Sequence, residues 1–199
     1  LLAGLLGAAA YGYLLDPVSE LFDGVGQEIC NALLQFGTFA LLAAVVFQIP
    51  RRIASPKASA ALLVSLMACT VAAAITREGA EILVYVSGFW GISDFLSAVA
   101  IGSFIGACVG SSVGVLIYYL LLAQPLRHAL PTAVGLLHLI GAGMASQATR
   151  LLIQADWITV AGPVWDTSQI LSEQSLAGQL LYALVGYEAS PSGVEALVY

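Results

Sequence analysis

The stretch Val71-Ala72-Ala73-Ala74-Ile75-Thr76-Arg77-Glu78-Gly79-Ala80-Glu81-Ile82-Leu83-Val84-Tyr85-Val86 decides the fold. Three ionisable side chains, Arg77, Glu78 and Glu81, stand in the middle of an apolar run. On a soluble helix they would be ordinary. Here the chain is 60% hydrophobic and 9% charged, against about 25% charged in a soluble domain. It lacks the charge to cover a water-facing surface. It reads as an all-α, polytopic transmembrane helix bundle, because only helices or closed barrels satisfy the backbone in lipid. A charge at the bilayer centre costs at least about 2.5–3.5 kcal/mol and marks an ion or proton path facing the bundle interior.

Working outward, five long apolar runs are legible at 1–15 (partial), 21–49, 58–86, 95–123 and 132–153, separated by short polar breaks with Pro and Gly. A shorter run, Leu176–Val185, is too short to span the roughly 20 residues a bilayer needs. It reads as an interfacial or re-entrant helix. The reading is one transmembrane domain over 1–199: about five spans, an outer segment near 156–191 and the start of a last helix. Both ends read as cut, and no signal peptide is visible. Gly102, Gly106, Gly110 and Gly114 recur every fourth residue, the pattern of a helix-packing seam. Cys30, Cys69 and Cys108 lie in apolar runs and read as small buried hydrophobes.

Charge sets the orientation. The chain has six Lys and Arg. Arg51, Arg52 and Lys57 share one loop, and Arg127 lies in the loop two helices later. The positive-inside rule makes the 51–57 and 124–130 loops cytoplasmic. The opposite side carries Asp16, Glu20, Asp23, Asp94, Asp156, Asp166, Glu173 and Glu188, an acidic mouth that would attract cations. With so few basic residues outside the membrane, nucleic-acid binding is not expected. The lipid bilayer is the expected environment, probable compartments reducing to a bacterial inner membrane.

On a helix Glu78 and Glu81 share a face, Arg77 reaches Glu81, and Tyr85 follows one turn later. Two close carboxylates in low dielectric need a proton or a cation. Arg77 supplies one positive charge and leaves one negative, an arrangement that suits a hard cation. The plain alternative is an Arg–Glu pair that locks two helices. Asp16, Glu20, Asp23, Gln27 and Asn31 are spaced four, three, four and four, with Gln35 and Thr38 continuing the line and Glu28 beside it. This reads as one helical stripe, the wall of an entry path. Gln147, Arg150 and Gln154 share a face of the last long run, with Arg150 free to pair with an outer acid or with Glu28. His138 reads as an interior histidine satisfied by its neighbours. Neither a phosphate loop, a zinc spacing nor a nucleophile elbow is present, so the chain reads as no enzyme.

Arg77-Glu78-Gly79-Ala80-Glu81 followed by Gly88 resembles the R-E-G-x-E motif of the oxidase-dependent iron permease family, which includes the fungal high-affinity permeases and bacterial relatives. Leu21-Phe22-Asp23-Gly24 resembles that family's L-F-E-G at the start of its third helix. Leu171-Ser172, Ser175-Leu176 and Gly178 resemble its outer segment, and Gly186-Tyr187-Glu188-Ala189-Ser190-Pro191-Ser192 resembles its lead into the final helix. The resemblance implies seven helices and two R-E-x-x-E motifs, on the first and fourth helices. On that alignment this chain begins inside the second helix and lacks the first motif.

The resemblance implies a permease moving iron, ferric by analogy, inward from an outer oxidase or iron-binding protein. Glu78 and Glu81 would be the metal ligands, with Arg77, Tyr85, Asp16, Glu20, Asp23 and Glu28 in support. Iron would be cargo, with no cofactor permanently bound. Lead or manganese on the same carboxylates is a further expectation. The alternative is a family member that does not transport and serves as a structural subunit of a larger membrane complex.

Overall fold

The computed structural model describes residues 1–54, 60–89 and 92–199. Its order is α1 (Leu2–Leu21), α2 (Gly26–Ala54), α3 (Ala60–Gly88), α4 (Ser93–Leu122), α5 (Leu126–Gln154), α6 (Leu176–Val185) and α7 (Gly193–Val198). Helices α2 to α5 each carry a stretch long and apolar enough to cross a membrane. α1 has an apolar part only over Leu2–Leu15. Together these form an all-helical, polytopic membrane bundle. Lys57 and Trp90 lie outside the described residues, and at Asp16 and Asp94 only the backbone is described.

α1 packs along α3, while α2 packs against both α5 and α3. The α1–α3 seam is made by small residues. A Cβ on Gly7 would lie 2.3 Å from Thr76 Oγ1, and one on Gly79 would lie 2.9 Å from Ala8 Cβ. Close approach of backbones is how helices associate in lipid, where no hydrophobic force draws them together. The seam also brings Tyr11 to Asn31 Oδ1 on α2, to which its hydroxyl donates at 2.7 Å.

α2 and α5 pair antiparallel, and their shared face changes character along its length. At one end Gln35 meets Gln147. Further on, Phe39 and Leu42 close over Gly141, whose Cβ position lies 3.3 Å from each. The bundle is therefore polar between α2 and α5 at the end that holds residues 27–35, and apolar at the other.

Three expectations are corrected. The single stripe from Asp16 to Asn31 is broken. α1 runs on through Pro17 to Leu21, and the chain then turns at residues 22–25 before α2 begins. Asp23 (φ 52°) and Gly24 (φ 93°) adopt left-handed conformations there, and Gly24 N donates to Ser19 O at 2.8 Å. The Leu-Phe-Asp-Gly motif is thus a turn rather than a helix start. The four glycines of α4 have nothing within 4 Å of their Cβ positions, so they form no seam within this chain. Cys69 and Cys108 are exposed on α3 and α4. An apolar run in a membrane protein does not entail burial, since lipid is as apolar as a core.

The segment after α5 carries the short helix α6 and the start of α7. Ser175 caps α6, its Oγ accepting from Gly178 N. Gly186 ends α6 in a left-handed conformation (φ 68°) and lies against Gly143 of α5, where a Cβ would come within 2.3 Å of the Gly143 Cα. Only glycine meets both demands. This contact docks the segment onto α5. α7 opens on a capping box formed by Ser192 and Glu195.

Candidate functional site

The central group is built by one turn of α3. Arg77 lies past the middle of α3 and is little exposed at 15% of its side chain. Its Nη1 pairs with Glu78 and its Nη2 with Glu81 Oε1 at 2.9 Å. One guanidinium thus holds both carboxylates; the Glu81 pair is the one the i,i+4 spacing implies, and the Glu78 pair joins neighbours in sequence. The expectation that Glu78 and Glu81 share a face is corrected, because only Glu81 lines the cavity. Glu81, with 31% of its side chain exposed, lines a cavity of about 370 Å³ together with Glu28, Asn31 and Tyr85. Glu78 is 61% exposed and stands outside that cavity's walls.

Glu28 approaches Glu81 from α2, and its Oε2 is buried without a hydrogen-bond partner. Tyr85 is largely exposed but borders the same space. Glu20, at the end of α1, and Asp23, in the turn, are exposed and lie off the cavity wall. Asp16 sits on α1, and its side chain is not described.

Two further cavities continue the polar space. One of about 310 Å³ shares Arg77, Gln154 and Tyr182 with the first and adds Gln35, Gln147 and Arg150. The next, about 280 Å³, shares Arg150, Gln154 and Glu173 with the second and reaches Glu188 and Glu195. A polar cleft therefore runs from the Arg77 group to the outer segment. Beyond Phe39 and Leu42 the space between α2 and α5 is apolar and touches His138. The His138 Nδ1 lies 2.8 Å from Val134 O, so the ring is tied to its own helix.

At the outer end of the cleft Arg150 lies 3.3 Å from Glu188 Oε1 and 3.7 Å from Glu173 Oε2. It pairs with outer acids, one of the two partners its position allows, and not with Glu28. Glu173 also accepts from Ala189 N at 2.7 Å. Glu188 is almost fully buried, with 4% of its side chain exposed. Its Oε1 has no aligned hydrogen bond despite the nearby guanidinium. Burial pushes its pKa up to about 7, against the pull of Arg150, and the neighbouring Glu195 adds to the rise.

The sequence reading missed Glu195 and Tyr182 as members of the cleft. Glu195 was legible only as a helix start, and Tyr182 sits in a short helix with no charged neighbour to flag it. Among the described residues no three His, Cys, Asp or Glu side chains are grouped to hold a metal ion. The arrangement offers two carboxylates on one cavity wall, Glu81 and Glu28, with the amide of Asn31 and the phenol of Tyr85. Those are hard oxygen donors, suited to a hard cation in passage.

The fold and cleft define a polytopic helical membrane protein with an acid-lined polar cavity among its helices. The chain belongs to the iron permease FTR1 family, whose model matches residues 29–199. It is 30% identical over 131 residues to proteins named ferrous iron permease EfeU from Yersinia pestis and from Yersinia pseudotuberculosis serotype I. Those matches cover 63% of this chain and 44–45% of the relatives, so the chain spans about half the length of the curated relatives it matches. No solved structure matches it.

Proposed function

We propose that the protein moves iron inward across a bacterial inner membrane, with Glu81 as the ligand that meets the ion in the cleft. The observation that carries this reading is Glu81, fixed by Arg77 at 2.9 Å, on the wall of a cavity that Glu28 shares. Two carboxylates line that cavity, and the one guanidinium on its wall beside Glu81 is already paired. A cation entering the cavity meets unneutralised negative charge. Glu78, on the other side of Arg77, is the second ligand in this reading and holds the guanidinium in place. Tyr85 supports the site at the cavity rim.

Glu20 and Asp23, with Asp16, gather cations at the mouth by their field rather than by contact. An outer oxidase or iron-binding protein delivers iron to that acidic side, and the helix ends carrying Arg51, Arg52 and Arg127, which the structure places in the last turn of α2 and the first turn of α5 rather than in loops, face the cytoplasm. The relatives are named for ferrous iron. Carboxylate oxygens are hard donors and favour the ferric ion, so ferric iron is the cargo in this reading. No permanently bound cofactor is part of it.

The test is uptake of radiolabelled iron by cells expressing the full-length protein, with and without reductant. Glu81→Gln keeps the shape and removes the charge, and uptake should fall to background. Uptake at the normal rate would overturn the permease reading and favour the non-transporting subunit. Inhibition by ascorbate would mark ferric iron as the cargo, and stimulation would mark ferrous. Competition by lead or manganese in the same assay measures how far the site discriminates.

A further inference from the structure

Gln35 is fully buried, at 0% exposure. Its Nε2 donates to Gln147 Oε1 at 2.9 Å, while its Oε1 has no hydrogen-bond partner. Both residues line the cavity beside Arg77. Which end of a glutamine amide faces a cavity is normally a matter of assignment. Here the surroundings decide it. Gln147 Nε2 donates at 3.2 Å to the backbone carbonyl of Tyr182. A carbonyl only accepts, so the NH₂ of Gln147 must face it. The oxygen of Gln147 must then face Gln35, which requires the NH₂ of Gln35. The oxygen of Gln35 is left over, so the relay from α6 through α5 to α2 leaves a buried acceptor, not a donor, unpartnered on a residue of the cleft wall.

The position of this oxygen matters as much as its lack of a partner. Along α2 the cleft is lined by Glu28, Asn31 and Gln35. The next turns, Phe39 and Leu42, belong to the apolar closure against Gly141. Gln35 is therefore the innermost oxygen of the polar cleft on α2. The two guanidinium groups that share its cavity do not make the space hostile to a cation, because each is paired to two carboxylates. A buried polar atom without a partner is costly and calls for an explanation.

The geometry points to Gln35 Oε1 as a neutral oxygen ligand for the transported cation, taking it from the Glu81 carboxylate at the last polar position before the apolar closure. The inference rests on the permease reading and adds a step to it. A neutral oxygen binds a cation more weakly than a carboxylate does. An ion moved from Glu81 to Gln35 is held loosely enough to leave, which conduction requires. The relay through Gln147 and Tyr182 makes this ligand depend on the docking of α6.

The experiment measures radiolabelled iron uptake against iron concentration and pH for the full-length protein and for Gln35→Leu, Gln35→Glu and Glu81→Gln, with protein level and thermal stability recorded for each. Gln35→Leu should lower the maximal rate at least about tenfold, the lower end of what losing even a group that only orients a metal ligand costs. Gln35→Glu should bind iron at lower concentration but release it more slowly, giving a lower KM, a lower maximal rate and a new acid-limb dependence on pH. A merely structural role would not divide KM from rate in this way.

If Gln35→Leu transports like the parent while Glu81→Gln does not, the oxygen holds only water and the inference is overturned while the permease reading stands. If both Gln35 variants are impaired alike, with matching losses of stability and no shift in KM or pH profile, the inference is again overturned. If Glu81→Gln also transports normally, the permease reading fails and this inference falls with it.

Discussion

Two guanidinium groups each hold two carboxylates in this protein, and they are assembled in opposite ways. Arg77, Glu78 and Glu81 lie within five residues of one helix and need no tertiary structure to meet. Arg150 gathers Glu173 and Glu188 from 23 and 38 residues away, and it does so only because the outer segment folds back on α5. The first group is attached to one helix and borders the cleft at one end. The second joins separate elements at the other end. The cleft connects them, so in the proposed reading the same pairing chemistry serves as a ligand site at one end and as a fastening at the other.

Removing the cations should separate these roles most sharply. Arg150→Leu leaves Glu188 buried beside Glu195 with no positive charge. Breaking a fully buried pair costs about 3–5 kcal/mol. Because 37% of the Arg150 side chain is exposed, a loss of about 2–3 kcal/mol is expected. Thermal unfolding of the purified protein in detergent reads this directly. Arg77→Leu should stop iron uptake while lowering stability by less, because no second element depends on that ion pair. Equal destabilisation by the two substitutions would break the distinction between ligand site and clasp.

Acid–base behaviour gives a second, smaller contrast. The Glu188 pKa is raised from 4.5 to about 7, chiefly by burial. The folded protein therefore holds a proton that the unfolded chain has released between those two values. Stability contributed by this group is fully present below about pH 4.5 and is lost as pH rises through about 7. Glu188→Gln should flatten that slope. Melting temperatures of parent and variant at pH 5 and pH 8 test it: the parent should lose more on going to pH 8 than the variant does. A parent slope unchanged by the substitution would mean that Glu188 ionises normally beside Arg150.

The difference in assembly also explains what could be read without a structure. The α3 group was visible because residues three and four apart on a helix are neighbours whatever surrounds them. So were the bounds of α6 at Leu176–Val185, since a short apolar run between a Ser cap and a Gly stop carries its own punctuation. The stripe from Asp16 to Asn31 failed for the same reason that the α3 group succeeded: its spacing suits a helix, but spacing says nothing about the turn that Asp23 and Gly24 insert. The glycine repeat of α4 failed in the same way: its spacing suits a packing seam, but among the described residues nothing approaches those positions. In the sequence Gln35 continues the polar line of the second run, and Gln147 shares a face with Arg150 and Gln154 on the last long run. Their pairing across 112 residues was not legible, because no local rule links α2 to α5.

The smallest expected effect lies next to the clasp. Ser192 and Glu195 cap α7 reciprocally: Ser192 N donates to Glu195 Oε2 at 2.6 Å, and Glu195 N donates to Ser192 Oγ at 3.3 Å. Ser192→Ala removes only the second bond, at about 1 kcal/mol for a lost N-cap. The Glu195 carboxylate keeps its backbone donor and its place beside Glu188, so the pH slope and the iron uptake should both persist. Thermal unfolding should show a drop smaller than that of Arg150→Leu. A larger drop would mean that α7, rather than the Arg150 ion pair, is what holds the outer segment to the bundle. The second guanidinium would then have to be read as the first is, as a charge facing the cleft rather than a fastening.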